Sequence, residues 1–566
     1  MFKTKNDLDE KFAEQRKLAE ENDAKRRAVQ YGLPYLDLVS TKAPTELRAL
    51  ELIKESDARK AKLVPLQEIR KKLIVAVFNP NLPETQEALN NLKNKFEIEL
   101  FVSSLSGLNH IWEYYKFASD EQKEITGKVE INDENLKNIS KSIKTFENLN
   151  ASLTESKNLL TSRILETILG GALALKASDI HLEPKEVTGI LRLRIDGLLH
   201  TIYENFAIVL YKSIVMRIKL LSGMKLNITN QAQDGRFTID LEDRDIEIRT
   251  SIIPSEYGET IVMRLLDPMA LRTNLEELGW REDDLSIIKK IIERPNGLIL
   301  NTGPTGSGKT TTLYAFLKHV ERPEIKIITV EDPIEYHLDG ISQTQVNKSA
   351  DYTFASGLRS ILRQDPDVVL IGEIRDSETA EIALNASLTG HLVFSTLHTN
   401  DAVGAIPRLI DLGAKLQVLG PALTLVIAQR LVRTLCEHCK IEEQLTDELR
   451  QKFEKFVSSL PRRVNKENYK SVHISKPKGC QECGGLGYRG RTSIFELFMI
   501  TENLEEAIYK NPNEIELKRL AKEQGMTTMQ EDGLLKIIRG VTSIEEVERL
   551  TGKIEWLNSS ESSNQL

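Results

Sequence analysis

"GLILNTGPTGSGKTTTLYAFLKHV", Gly297 to Val320, begins with a short apolar run, Leu298-Ile299-Leu300, that leads into Gly303-Pro304-Thr305-Gly306-Ser307-Gly308-Lys309-Thr310 and then Thr311. This loop matches G-x-x-x-x-G-K-[ST], in which glycines let backbone N–H groups close around phosphate oxygens. Leu313, Phe316, Leu317 and Val320 recur at i, i+3, i+4 and i+7, so the spacing predicts a helix directly after the loop. The N-terminus of that helix adds positive potential at the phosphates. Strand, glycine loop and helix in this order imply a nucleoside triphosphate site, with Lys309 reaching the β- and γ-phosphates and the Thr310 hydroxyl on Mg²⁺. There is no N-K-x-D-like base-reading motif, which favours ATP over GTP.

Acids follow at the ends of further apolar runs. "IKIITVEDPIEYHLDG" ends in Glu331, Asp332 and Glu335, where carboxylates can orient metal-bound water; the alternative is a set of surface acids in a turn made by Pro333. In "QDPDVVLIGEIRD", Gln364 to Asp376, the run Val368-Val369-Leu370-Ile371 delivers Gly372 where most phosphate-loop ATPases place a metal-binding carboxylate. Glu373 comes one residue later, where it can take a proton from an attacking water. "TGHLVFSTLHTNDA" is one more apolar strand, flanked by His391 and His398; a neutral imidazole there can hydrogen-bond a γ-phosphate oxygen, unless both are ordinary core histidines.

At 566 residues the chain has room for roughly three or four domains of ~150 residues each. Its net charge of −8 and pI of about 5.8 give no global basic field, which argues against strong nonspecific nucleic-acid binding and leaves only a local basic patch open. The longest apolar run, "LGPALTLVIA" (Leu419 to Ala428), is about half the ~20 residues a bilayer span needs and is expected to be a buried helix. "MFKTKNDLDEKF" holds no apolar signal core, so the chain is expected to remain in the cytosol.

Residues 1–30 carry eight Lys/Arg and seven Asp/Glu and are expected to form a charged helical arm, solvated, partner-seeking or frayed. Residues 31–118 alternate strand-like "KLIVAVFNP" and "EIELFVSS" with amphipathic helices, as in a small α/β domain. Residues 119–157 are polar and read as a linker. A second α/β unit is expected over 158–267, with turns at Asp196-Gly197 and Asp234-Gly235; within it Asp179 and His181 of "ASDIHLEP" are expected to make structural hydrogen bonds. Residues 268–556 carry the phosphate loop, and 557–566 ("NSSESSNQL" at the end) read as a disordered tail.

The four cysteines fall as Cys436-x-x-Cys439 and Cys480-x-x-Cys483 with forty residues between the pairs. Two such knuckles can give a closed tetrahedral thiolate site for Zn²⁺, and the glycines of "KGCQECGGLGYRG" permit a tight metal turn. His438 could compete as a ligand but lies between two cysteines, and free thiols or a redox pair are the alternatives.

In order and length these motifs resemble the secretion ATPases of type II secretion and type IV pilus assembly, the GspE/PilB family, over roughly residues 158–552. The resemblance implies a RecA-like P-loop ATPase domain over 268–556, with a tetracysteine zinc subdomain at about 430–495 of the kind found in assembly and export ATPases. A PAS-like α/β domain (158–267) and a small amino-terminal docking domain (31–118) would precede it. The family carries a glycine where Gly372 stands, and by that resemblance Glu373 is the catalytic glutamate while the acids of Glu331 to Glu335 help hold the metal shell. It also supplies arginines to the nucleotide from a segment similar to "EIRTSIIPSEYGETIVMRLLD", which here gives Arg249 and Arg264. A homo-hexamer is implied, held peripherally at the inner face of the cytoplasmic membrane by an inner-membrane platform protein and other pilus or secretion proteins. Some relatives bind cyclic di-GMP in the docking domain through an R-L-G-x-x-L type motif that is not found here. Pilus assembly is the expectation and type II secretion its near alternative. From other classes, a RecA-like nucleic-acid translocase is opposed by the acidic balance and the lack of an aromatic-basic stripe, and Gly372 raises the possibility of a noncatalytic scaffold.

Overall fold

The structure is a computed structural model that describes residues 5–39, 47–50, 52–69, 71–115, 128–129, 139, 142–155, 161–241, 244–269, 273–510 and 513–558. The chain divides into two compact units, one running to Leu265 and one from Leu266, with Lys144–Phe146 and Asp196–Leu198 grouped with the second.

In the first unit the charged arm is the helix Lys5–Tyr31. Its second half is packed rather than frayed: Ala24 and Ala28, one turn apart, are buried, and the Glu21 carboxylate accepts hydrogen bonds from the hydroxyls of Tyr35 and Ser104, both at 2.5 Å. A three-stranded sheet follows, with β1 (Leu63–Ile69) antiparallel to β2 (Lys72–Val77) and β2 parallel to β3 (Glu97–Val102). The parallel pair is joined over the helix Pro83–Lys93, which buries Leu89 and Leu92.

Seven strands form the larger sheet of this unit in the order β4-β8-β9-β10-β5-β6-β7. They are β4 (Lys128–Val129), β5 (Asp179–Pro184), β6 (Thr188–Ile195), β7 (Leu198–Ala207), β8 (Gln233–Leu241), β9 (Arg244–Ser255) and β10 (Gly258–Leu266). Two expectations change here. The stretch expected to be a linker supplies β4, which pairs with β8, and a helix, Phe146–Glu155, whose Leu149 and Leu153 are buried; two leucines at i, i+4 suffice to dock a helix that is polar elsewhere. Asp196-Gly197 is the turn between β6 and β7, with both φ angles positive, but Asp234-Gly235 lies inside β8. Gly235 is needed for space, since a Cβ there would stand 2.3 Å from the Ser222 carbonyl oxygen.

The second unit is built on a sheet ordered β13-β12-β14-β15-β11-β16-β19. Its strands are β11 (Gly297–Thr302), β12 (Ile327–Glu331), β13 (Ser342–Gln345), β14 (Val368–Ile371), β15 (Leu392–Leu397), β16 (Leu423–Leu435) and β19 (Tyr488–Met499). All neighbours are parallel except β16 and β19. Alternate residues feed two cores: Leu298, Leu300, Val369, Ile371 and Val393 on one face, Ile299, Val368, Leu370, Leu392 and Phe394 on the other. Burial on both faces explains why β11, β14 and β15 are unbroken apolar runs in the sequence.

"LGPALTLVIA" is not a helix throughout. A short helix, Leu416–Ala422, ends within it, and from Leu423 the chain is β16, lodged between β11 and β19. An apolar run of this length does not distinguish a buried helix from a central strand. A two-stranded ribbon of β17 (Ile441–Glu442) and β18 (Ser475–Lys476) lies between the cysteine pairs, and helices from Glu502 to Asn558 close the unit. Of the expected tail, residues 559–566 lie outside those described. No described helix is long and apolar enough to cross a membrane.

Candidate nucleotide site and cysteine cluster

Parallel pairing brings the carboxyl ends of four strands to one edge. Thr302 of β11 faces Leu397 of β15, Ser395 of β15 faces Ile371 of β14, and Ile371 faces Val330 of β12. The phosphate loop, His398, Glu373 and the acids after Val330 therefore leave the sheet side by side, at the edge where open α/β sheets bind ligands.

The loop from Gly303 to Gly308 enters the helix Lys309–Val320, whose N-cap is Gly308 at φ 92°, a left-handed conformation that only glycine adopts readily. A Cβ at Gly303 would stand 2.7 Å from the Gln429 carbonyl oxygen, so the loop lies directly on β16. Lys309 Nζ donates to the carbonyls of Gly303 (2.7 Å) and Pro304 (3.1 Å). Burial pushes the Lys309 ammonium down to about 8; Arg430 adds to the drop and Glu373 opposes it. The buried Ser307 hydroxyl has no hydrogen-bond partner. A desolvated ammonium and an orphaned hydroxyl inside one glycine loop fit a bound phosphate, which would satisfy both.

Glu373 is mostly buried, with one carboxylate oxygen 2.5 Å from an Arg375 guanidinium nitrogen and the other 3.6 Å from His398 Nε2. Burial, and then the Lys309 charge, lower the His398 pKa below its usual value, so the imidazole is neutral at neutral pH. Glu373, Ile374, Arg375, His398 and Arg408 line a cleft of about 450 Å³.

The three acids after Val330 differ. Glu331 is buried and committed: Oε2 accepts from the Tyr314 hydroxyl, and Oε1 from Thr329 Oγ1 (2.6 Å) and Gln343 Nε2 (3.1 Å). Tyr314 lies on the phosphate-loop helix, so Glu331 ties that helix to β12, and burial together with the Glu331 charge keeps the phenol protonated. Asp332 is exposed and Glu335 is half-buried. Thr310, Asp332 and Glu335 each carry a hard oxygen donor of the kind Mg²⁺ prefers.

The remaining expected residues lie elsewhere. His391 precedes β15 at its amino end, six residues before Leu397 and so about 20 Å away at ~3.3 Å per residue. Its Nδ1 lies 3.0 Å from the Ala386 carbonyl, so it joins the helix Ser377–Leu388 to the sheet, and the role shared with His398 in the sequence does not extend to it. Arg249 pairs with Glu247 (3.1 Å) and Arg264 with Asp179 (3.0 Å) inside the first unit. Asp179 is thereby structural, whereas His181 Nε2 is buried without a partner.

Gln429 was missed. Its Oε1 accepts from Asn301 Nδ2 (2.8 Å) and Thr312 Oγ1 (2.9 Å), and its Nε2 donates to Ser493 Oγ (3.0 Å). One buried amide thus joins the strand before the loop, the helix after it, and β16 to β19. The signal was a glutamine interrupting "LTLVIAQRLV". Arg375 was also passed over, although it lies inside the quoted "GEIRD".

The four cysteines converge at the far end of the β16/β19 ribbon, where Cys436 N donates to the Gly487 carbonyl at 3.0 Å. Their sulfurs all lie within 4.8 Å of one another, with Cys436–Cys480 at 3.9 Å and both Cys439–Cys483 and Cys480–Cys483 at 3.8 Å. A tetrahedron with ~2.3 Å Zn–S bonds has edges of about 3.8 Å, whereas a disulfide needs ~2.05 Å. Burial pushes the Cys483 thiol up, but N–H donors from Cys480 and Gly487 overrule it and bring it down to about 7. The donor set fits a structural zinc ion.

Residues 154–549 match the family described as Type II/IV secretion system protein, and residues 31–118 match the MshEN domain. Type II secretion system protein E of Aeromonas hydrophila is 45% identical over 406 residues, 70% of this chain and 78% of that protein. The protein of the same name from Pseudomonas aeruginosa is 46% identical over 389 residues, 69% and 75% of the two chains. Type II secretion system ATPase E of Vibrio cholerae is 43% identical over 415 residues, 72% and 80%. The solved Legionella pneumophila ATPase DotB superposes with a TM-score of 0.50 over 69% of this chain and 96% of its own at 21% identity, a likeness of fold. The second unit is a RecA-like domain, and the chain belongs to the type II/IV secretion system protein family.

Proposed function

We propose that this chain is the ATP-hydrolysing motor of a type II secretion system, acting as a cytoplasmic homo-hexamer on an inner-membrane platform protein. The carrying observation is the convergence of Lys309, Glu373 and His398 at the carboxyl ends of β11, β14 and β15 in a chain of this family. The relatives reported above are type II secretion proteins, which moves the balance from the pilus assembly expected first to secretion.

Lys309 supplies positive charge to the β- and γ-phosphates, and neutral His398 donates a hydrogen bond to a γ-phosphate oxygen. Glu373 takes a proton from water as the water oxygen attacks the γ-phosphorus. The bond to the bridging oxygen breaks, and ADP leaves with its electron pair. Mg²⁺, when bound, neutralises charge on the β- and γ-oxygens, with Thr310, Asp332 and Glu335 as its residues. Arg249 and Arg264 belong to this reading by family resemblance, as cations that stabilise the transferring phosphoryl group.

Glu373→Gln is expected to keep ATP binding and to lose hydrolysis by about 100-fold or more in a phosphate-release assay; near-normal turnover refutes the assignment. In cells, loss of the gene is expected to abolish export of secreted enzymes and leave surface pili intact, and the reverse result points to pilus assembly.

A further inference from the structure

Glu373 and Arg375 lie on a segment pinned at each step. Thr396 Oγ1 donates to the Gly372 carbonyl (2.7 Å), Ile374 N donates to the Thr396 carbonyl (3.0 Å), and Asp376 caps the helix Ser377–Leu388 by accepting from Thr379 N (2.8 Å). Ile374 is buried in the core, whereas its two neighbours reach the cleft and meet there. Glu373 is 13% exposed and Arg375 is 63% exposed, and they meet at 2.5 Å. The 2.5 Å approach is to Oε1, and Oε2 lies 3.6 Å from His398 Nε2. The groups that face this carboxylate are Arg375, His398 after β15 and Lys309 on the phosphate-loop helix, with Arg408 of the helix Ala405–Asp411 lining the same cleft.

From this geometry we infer that Arg375 is a positioning residue for Glu373: it holds the carboxylate by one oxygen and so presents the other to the attacking water. An exposed arginine that fixes nothing would lie free in solvent; this one meets a partly buried acid and restricts its rotamer. Arginine suits the task better than lysine because its planar fork fixes direction as well as charge. The inference rests on Glu373 being the base.

The test is steady-state ATP hydrolysis by the full chain with Mg²⁺, read as kcat and KM, for the parent, Arg375→Ala, Arg375→Lys and Glu373→Gln. Arg375→Ala is expected to lower kcat roughly tenfold or more with KM within about threefold. Arg375→Lys is expected to restore only part of the rate. If Arg375→Ala keeps kcat while Glu373→Gln is inactive, the inference fails alone. A KM rise of about tenfold with kcat unchanged overturns it in favour of nucleotide binding by Arg375 itself. An active Glu373→Gln overturns the underlying assignment of the base.

Discussion

Replacing Gly372 by aspartate would put a carboxylate where other phosphate-loop ATPases carry one, and the surroundings say it will not fit. Gly372 does not have a left-handed φ, so its backbone would accept a side chain. The space would not: a Cβ there stands 3.2 and 3.4 Å from two ring carbons of Phe354 and 3.4 Å from the Val330 carbonyl oxygen. Phe354 is itself part of the buried core that contains Val330. Alanine therefore forces the ring back by a few tenths of an ångström, and aspartate adds a charge facing a carbonyl oxygen and the adjacent Glu373. Overpacking of this kind costs about 1–3 kcal/mol, and we expect Gly372→Asp near the upper end. With an m-value of about 3 kcal/mol per molar urea, the unfolding midpoint drops by roughly 1 M. Fluorescence of Trp280, stacked on Phe495 inside this unit, reports the transition. Phe354→Leu makes room, so the double variant is expected to recover part of the loss relative to the sum of the single ones. A Gly372→Asp protein that unfolds at the parental midpoint, or a double variant with purely additive losses, refutes the steric argument.

Metal analysis of protein purified without chelator is expected to find about one zinc per chain, falling below half in Cys480→Ser; a folded, metal-free parent contradicts the assignment. Glu496 is buried and accepts a hydrogen bond from Ala402 N at 2.9 Å, and burial raises its carboxyl from 4.5 to about 7. The folded chain then holds a proton the unfolded chain has lost, so stability falls as pH rises from about 4.5 through 7, by about 3 kcal/mol in all. Glu496→Gln is expected to abolish that slope in denaturation midpoints measured at pH 5 and pH 8; an unchanged slope counts against it. Arg249→Ala and Arg264→Ala are expected to cut ATP turnover more than nucleotide affinity, and unchanged turnover in both removes them from the chemistry.

The phosphate loop was legible because its constraint is local: glycine spacing, a preceding apolar strand and a following amphipathic helix all lie within two dozen residues. The RecA-like sheet was legible because strands buried on both faces write themselves as apolar runs. His391 and His398 show where this stops. Both flank the same strand, and only the direction in which β15 runs beside β11 decides which of them meets the phosphates. Gly235 had the signature of a turn but serves to let the Ser222 carbonyl approach, a contact between residues distant along the chain. Leu149 and Leu153 were hidden by the polar residues around them, since composition averages away two well-placed leucines. Glu331 looked like its neighbours Asp332 and Glu335; its commitment to Tyr314, Thr329 and Gln343 needed three elements in place.

The antiparallel pair β16 and β19 runs from beneath the phosphate loop, where Gln429 faces Phe495, through one register shift after Arg433, to Leu435 facing Tyr488 beside the cysteines. Between Gln429 and Cys436 lie about 23 Å of hydrogen-bonded ribbon at ~3.3 Å per residue. The far end is clamped: Arg433 stacks on Tyr488 and pairs with Glu546 at 2.7 Å. The cysteine cluster and the phosphate loop are thus the two ends of a single strut, and a Co²⁺ ion bound by the four thiolates would give that strut a colour. Any twist imposed on Gln429 when the loop closes around phosphate would then be read as a shift in visible absorbance, with no label attached to the protein.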